Sequence, residues 1–309
     1  MTNYKIIQKR NLWLSFSGLL FVIAIVALFL WGFKFGIDFT GGSLLEVRFV
    51  ATRPTVNQVE EAMRNDPASN PAGLVVQPIG VTNMVLRFQD TTEEKHSATL
   101  NNLEKLAGSL SKDSKGQLVE EIRFDSVGPS IGDELKTKSV YAIFFVLIGI
   151  LIYISYAFRK VSKPVASWKY GSAALIALVH DAIITLGVFA VLGKFWGVEI
   201  NTPFVAAILT VIGYSVHDTI VVFDRIRENL PKSTEDFEGT VNVSLNQTLV
   251  RSLNTSLTVI FTLLAVLIFG GASIRPFALA LTIGIAIGTY SSIFVAPPLL
   301  VFWEKWKKS

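Results

Sequence analysis

Long uncharged runs alternate with mixed polar stretches along this chain, and the longest runs match the width of a bilayer. A hydrocarbon core of about 30 Å is crossed by about 20 apolar residues in helical form. Six runs reach that length: Leu12–Phe33, Ser139–Phe158, Trp168–Leu192, Thr202–Phe223, Arg251–Phe269 and Phe277–Trp303. The first is too long for a secretory signal and no small-x-small cleavage site follows it, so it reads as a retained anchor.

The stretch between the first two runs has a different period. Leu44–Val50, Leu74–Ile79, Met84–Gln89 and Gln117–Val127 read as strands, the middle two around a Gly-Val-Thr-Asn turn. Thr55–Asn65 and Thr91–Leu110 read as helices, with Thr55 as an N-cap and Thr91 to Glu94 as a capping box. The order β-α-β-β-α-β predicts a ferredoxin-like α+β domain. The expected fold is therefore a polytopic α-helical membrane protein with six transmembrane helices and one such domain between the first and second. Its parts are a tail at 1–11, the first span at 12–33, the α+β domain at 34–138, a five-helix bundle at 139–303 and a second tail at 304–309.

Composition agrees with the pattern. Of 309 residues, 51% are hydrophobic and 17% charged, where soluble domains carry about 25% charge. The charge is also unevenly placed: residues 38–138 hold 11 of the 28 Lys and Arg and 15 of the 24 Asp and Glu. With no Cys, disulfide frameworks, thiolate catalysis and iron–sulfur ligation drop out. The net charge of +4 fits loop topology better than nucleic-acid binding, and no nucleic-acid partner is expected.

The basic residues orient the spans. Lys5, Lys9, Arg10, Arg159, Lys160, Lys163, Lys169, Arg225, Arg227, Lys232, Lys305, Lys307 and Lys308 lie on one side; only Lys194 and Arg275 lie in the short loops of the other. The positive-inside rule then places both termini in the cytoplasm and the α+β domain outside, periplasmic in a two-membrane bacterium.

Five ionisable residues fall inside the spans: His180, Asp181, His217, Asp218 and Arg251. A central Asp or Arg costs about 2.5–3.5 kcal/mol on insertion scales, so each needs a partner or a water cavity. At 1.5 Å per residue, Asp218 lies ~9 Å from the inner boundary and Asp181 ~18 Å deep. Arg251 opens the fifth run at the depth of Asp218, so the two are expected to pair, with His180 and Asp181 as a second polar cluster. Arg251, Asn254, Thr255 and Thr258 form one polar helical stripe. Val211, Tyr214, Ser215, Asp218 and Val222 share a face of the fourth run, and Gly284, Gly288, Ser291 and Ser292 one of the sixth; Gly213 joins the two glycines as an expected close-packing position.

Other chemistries compete with this reading. The two His-Asp pairs could ligate the metal of an intramembrane hydrolase, but adjacent residues diverge by about 100° on a helix, unlike H-E-x-x-H. No metal, cofactor or enzymatic activity is expected. A passive scaffold would leave Asp218 and Arg251 replaceable. The Gly-marked segments FGIDFTGG (35–42) and VGPSIG (127–132) read as turns or as hinges, through Gly36, Asp38, Gly41, Gly42, Gly128, Pro129 and Gly132.

FGIDFTGG, VGPSIGDEL (127–135), ALVHDAIITLG (177–187), IGYSVHDTIVVFDRIREN (212–229), VSLNQTLVRSLNTS (243–256), FGG (269–271) and IGIAIGTYSSIFVAPPLL (283–300) occur in an order that resembles the SecF family. Its members are the smaller subunits of SecD–SecF protein-export complexes, within the resistance-nodulation-division superfamily. The resemblance implies an inner-membrane subunit that uses the proton-motive force to promote export through the SecY channel. The implied partners are SecD, the SecYEG channel, YajC, unfolded exported polypeptides and membrane lipid. It puts the proton-linked Asp on Asp218 and the membrane Arg on Arg251, and many members carry Asn where His217 stands. A proton-driven small-molecule exporter of the same superfamily is the alternative; it calls for twelve spans and large paired outer domains.

Overall fold

A computed structural model of the chain describes residues 4–67, 69, 71–89, 92–111, 116–157, 166–271 and 274–306. The described residues divide into two compact units: residues 35–138 form one, and those before and after form the other.

In the first unit a one-turn helix, α2 (Ile37–Thr40), leads into β1 (Gly42–Phe49), then α3 (Val56–Asn65), β2 (Val75–Ile79), β3 (Asn83–Phe88), α4 (Glu93–Leu110) and β4 (Val119–Val127). The strands form one sheet in the order β2-β3-β1-β4, every neighbouring pair antiparallel. Central β1 is apolar on its covered face, and Leu45, Val47 and Phe49 pack with Val59 and Met63 of α3, Leu86 of β3 and Leu103 of α4. Thr55 caps α3 in a full capping box with Gln58. At α4 the N-cap is Thr92, with no side-chain capping bond; Thr91, the expected start of the capping box, lies outside the described residues.

The second unit is helical. Six helices are long and apolar enough to cross a membrane among the described residues: Ile7–Trp31, Pro129–Ala157, Trp168–Trp196, Thr202–Asn229, Phe237–Phe269 and Arg275–Lys305. They comprise α1 (Arg10–Trp31), α5 (Pro129–Ala157), α6 (Ser167–Trp196), α7 (Thr202–Asn229), α8 (Phe237–Phe269), α9 (Arg275–Phe294) and α10 (Ala296–Trp306). Residues 129–138 of α5 belong to the first unit. Phe158 and the basic residues Arg159, Lys160, Lys163, Lys307 and Lys308 lie outside the described residues.

Three helices depart most from the expected spans; the second begins at Pro129, not Ser139. The fifth begins at Phe237, not Arg251, because the Asp236 carboxylate accepts the Gly239 N–H at 2.8 Å and starts a helix through the polar segment 237–250. Arg251 is therefore internal to a helix. The sixth run is two helices that break at Val295, since Pro297 and Pro298 cannot continue the hydrogen-bond ladder of α9.

The added turns of α8 hold the chain ends. Asn242 accepts the backbone N–H groups of Ile6 and Ile7 at 3.0 and 3.2 Å, and Asn246 pairs with both backbone groups of Tyr4. Glu238 bridges Arg10 at 2.7 Å and Lys305 of α10.

Candidate functional site

The site is the seam where α7 meets α9, flanked by α6 and α8. Close approach is possible because α9 presents glycines: a Cβ on Gly284 would overlap the Val211 side chain, and one on Gly288 would come to 3.0 Å from the Ser215 Cβ. One turn further along, the same two faces carry Asp218 on α7 and Ser291 and Ser292 on α9, all buried. Gly213 lies elsewhere. It is exposed, and nothing described comes within 4 Å of where its Cβ would stand, so it does not pack the seam. It sits two residues from Ser215 on a helix whose buried positions recur at three and four.

Asp218 is 7% exposed. Its Oδ1 accepts from Ser252 Oγ of α8 at 2.6 Å, and its Oδ2 accepts from the Ser292 hydroxyl. Arg251 is not its partner: it is exposed and makes no ion pair among the described residues. The correction follows from helical geometry. Ser252 and Ser256 are the buried positions of this part of α8, and Arg251, one residue from Ser252, points about 100° away. Arg251 lines a cleft of about 340 Å³ with Asp224, Arg225, Glu228, Gln247 and Thr248. The stripe expected to line the polar aisle, Arg251, Asn254, Thr255 and Thr258, is exposed along its whole length.

The inward face of α8 carries hydroxyls instead. Ser256 Oγ accepts from Thr289 Oγ1 of α9 at 2.6 Å and from Tyr214 Oη of α7 at 3.2 Å. Sequence reasoning missed Ser252 and Ser256. Their i, i+4 spacing with Thr248 was a readable signal, masked by the more polar stripe beside it.

Asp181 of α6 is 1% exposed and adjoins the same seam. Its Oδ2 accepts from Ser215 and Ser291, both at 2.6 Å, and its Oδ1 meets His180 Nδ1 at 2.9 Å. The two acidic clusters are thus neighbours through consecutive serines on α9. His217 is exposed, away from both, and makes no hydrogen bond among the described residues. His180 and His217 do not converge, and no group of three metal-ligating side chains occurs among the described residues.

The Gly-marked segments come together within the α+β unit. Gly41 (φ +72°) lies against Pro129, and a Cβ on Gly132 would come to 3.1 Å from the backbone of Phe39 and Gly41. Gly42 holds φ +115° against the Phe88 carbonyl. Gly36 is the N-cap of α2, Asp38 is in its first turn, and Gly128 is open. They form a packed turn closed by the start of α5.

Fold and site together define a polytopic membrane protein whose bundle buries carboxylates among hydroxyls. Comparison with known proteins narrows the class. A family model described as "Protein export membrane protein SecD/SecF, C-terminal" matches residues 108–306, and one described as "SecD/SecF GG Motif" matches residues 26–52. The chain is 46% identical to protein translocase subunit SecF of Thermobaculum terrenum, over 97% of this chain and 93% of that one. It is 36% identical to that of Sebaldella termitidis, over 98% and 93%. The crystal structure of SecDF, a translocon-associated membrane protein from Thermus thermophilus, superposes with TM-score 0.79 at 31% identity; it covers 98% of this chain but 39% of that longer one. A second SecDF structure, in a super-membrane-facing form, gives 0.68. The chain belongs to the SecD/SecF protein-export family, among its SecF subunits.

Proposed function

We propose that this chain works with a SecD-type partner to couple proton movement through Asp218 to the export of polypeptides. One observation carries the reading: Asp218 is buried within the bundle with two hydroxyl donors and, among the described residues, no cationic partner. A charge kept in that position is costly and contributes little to stability. Gaining a proton makes it neutral. Ser252 and Ser292 then no longer face an anion, and the seam between α7, α8 and α9 can repack. Each charge that crosses the membrane potential supplies about 2.3 kcal/mol per 100 mV.

The outward face of α8 supports a partner. Thr255, Thr258 and Thr262 return their hydroxyls to carbonyls of their own helix, which leaves the exposed Asn254 amide to be satisfied from outside, while Arg251 opens on the polar cleft with Asp224 and Glu228. Lipid tails offer nothing to an amide or to a charged cleft, so this stripe is the contact for the SecD-type subunit. The orientation is that of the basic-residue count: both termini cytoplasmic, inner membrane, and the ferredoxin-like unit outside. There the packed Gly41–Pro129 turn is the hinge through which the unit responds, and the SecYEG channel with its emerging polypeptide and YajC are the further partners. A small-molecule exporter is the less supported alternative, since the full-length relatives are translocase subunits.

Asp218→Asn tests the reading in membrane vesicles under an imposed proton gradient. Gradient-dependent stimulation of export is expected to vanish, with insertion and co-purification of the partner retained. Unchanged stimulation would overturn the proton role.

A further inference from the structure

The reading above uses Asp218 and leaves the more deeply buried carboxyl, Asp181, without a task. Its surroundings are those of a site, not of a packing accident. Three donors converge on it from three helices: His180 Nδ1 on α6, Ser215 on α7 and Ser291 on α9. No Lys or Arg among the described residues pairs with it; its only ion-pair contact is His180. The imidazole is held in place. It stacks parallel on Phe21 of α1, with ring centroids 6.2 Å apart at 6°, and its Nε2 is buried with no hydrogen-bond partner among the described residues. The ring borders an apolar cavity of about 540 Å³ walled by Leu14, Phe21, Ile176 and Phe302.

The two carboxyls are joined by a pair of rotors. Ser291 and Ser292 are consecutive; the first donates to Asp181 and the second to Asp218. Each also lies within reach of a carbonyl of its own helix, Ser291 of Gly288 at 3.1 Å and Ser292 of Thr289 at 2.9 Å. A hydroxyl has one proton to give, so each serine serves either the carboxylate or α9. An ionised carboxylate claims the proton, because charge-assisted bonds are about twice as strong as neutral ones. A protonated carboxyl releases it and can donate back to the serine oxygen. On α7, Ser215 and Asp218 stand three residues apart on one face, a second tie between the clusters.

We propose that Asp181 is a second proton-carrying carboxyl of the bundle, coupled to Asp218 through the paired hydroxyls of Ser291 and Ser292, with His180 as its positioning residue. The inference rests on the proton-coupled reading of Asp218. The step is a protonation: one O–H bond forms on the Asp181 carboxylate, its charge goes from minus one to zero, and the proton comes from the side the gradient supplies. Ser291 then turns to the Gly288 carbonyl, and the α9 segment that holds Ser292 is altered next to Asp218. The ionisable groups around Asp181 are few. His180 and Tyr170 lie on α6, Asp218 and Tyr214 on α7, and Tyr290 on α9, engaged with Ser17 of α1. The buried positions of α8 carry no ionisable side chain beyond its first turns, and the ionisable groups of α10 lie in its last turns, Glu304 buried and Lys305 exposed.

Infrared difference titration of the full chain with its partner in lipid nanodiscs tests this directly. Two protonated-carboxyl bands are expected within the bundle, one removed by Asp181→Asn and the other by Asp218→Asn. Ser291→Ala keeps both carboxyls and deletes one charge-assisted bond, and should move the Asp181 midpoint by about one unit. It should also move the Asp218 midpoint, which a merely structural serine would not do. In vesicles, Asp181→Asn should slow gradient-driven export about a hundredfold, the scale of a lost proton-transfer group, and Asp181→Glu should restore part of it. An Asp181→Asn titration that superimposes on the unaltered chain's overturns the proposal, as does an Asp218 midpoint that ignores Ser291→Ala. Full export activity in Asp218→Asn would sink the proton-coupled reading, whatever the Asp181 band does.

Discussion

The two units of this chain are built inside out with respect to each other. The α+β unit buries Leu45, Val47, Phe49, Met63, Leu86 and Leu103, and among its described Asp, Glu, Lys and Arg side chains all but Glu46 are at least partly exposed. The helical unit exposes Phe144, Phe145, Phe261 and Phe269 and buries Asp181, Ser215, Asp218, Ser252, Ser256, Thr289, Ser291 and Ser292. Water drives apolar groups inward in the first. In a bilayer the surroundings are as apolar as the side chains, so that force is absent between helices. Close backbone approach and hydrogen bonds hold them together instead. The same chain therefore places its two buried carboxyls, Asp181 and Asp218, in the unit where polar groups are the glue, and under the proposed function a proton would bind to part of the packing.

The sharpest test of the contrast is steric. Gly284→Leu should separate α7 from α9, because the new side chain has no space beside Val211. Overpacking of this kind costs about 1–3 kcal/mol or more. Gly213→Leu, with nothing within 4 Å of its Cβ, should cost less than about 0.5 kcal/mol. Reversible unfolding in detergent, or recovery of folded chain, reads both. Equal losses would mean that the α7–α9 contact is not what holds the bundle.

A polarity exchange sharpens the comparison further. Leu45→Ser in the α+β unit creates a cavity and buries a hydroxyl, and should cost about 2–5 kcal/mol. Ser256→Ala in the bundle removes a hydroxyl that links Thr289 to Tyr214, and should cost about 0.6–1.7 kcal/mol, the span measured for such bonds in membranes. Hydrogen exchange on the full chain resolves the two units separately. The contrast fails if Ser256→Ala loosens its helix as much as Leu45→Ser loosens the sheet.

How much of this was readable beforehand depends on the range of the interaction. Apolar runs and alternation are local, and they marked the existence of six apolar helices and four strands, though not the starts of α5 and α8, which lie at Pro129 and Phe237 instead of Ser139 and Arg251. Charges where lipid should be pointed to Asp181 and Asp218, and equal depth pointed to Arg251 as the partner of Asp218, which the structure does not bear out. The partners were not legible, because a helix face is decided by a single residue. Arg251 and Ser252 are adjacent, and only tertiary packing selects Ser252. The break at Val295 had a local signal in Pro297 and Pro298, and the early start of α8 had one in Asp236; both were overridden by counting hydropathy alone. The pairing of Ser291 with Asp181 spans 110 positions and had no local trace.

His217 gives the smallest expected effect. It precedes Asp218 in the chain, which suggests a role in proton handling. Its side chain is exposed, about 100° around α7 from the buried carboxyl, and neither Asp218 nor Asp181 uses it as a donor. An imidazole so placed changes the environment of Asp218 only through space, where a partner subunit or water screens it. His217→Asn should therefore leave the pH profile of gradient-driven export within about 0.3 units of the unaltered chain, less than about 0.5 kcal/mol. A displacement of a full unit would place the imidazole at the seam in the working complex, and the division between the buried and outward faces of α7 would then have to be redrawn.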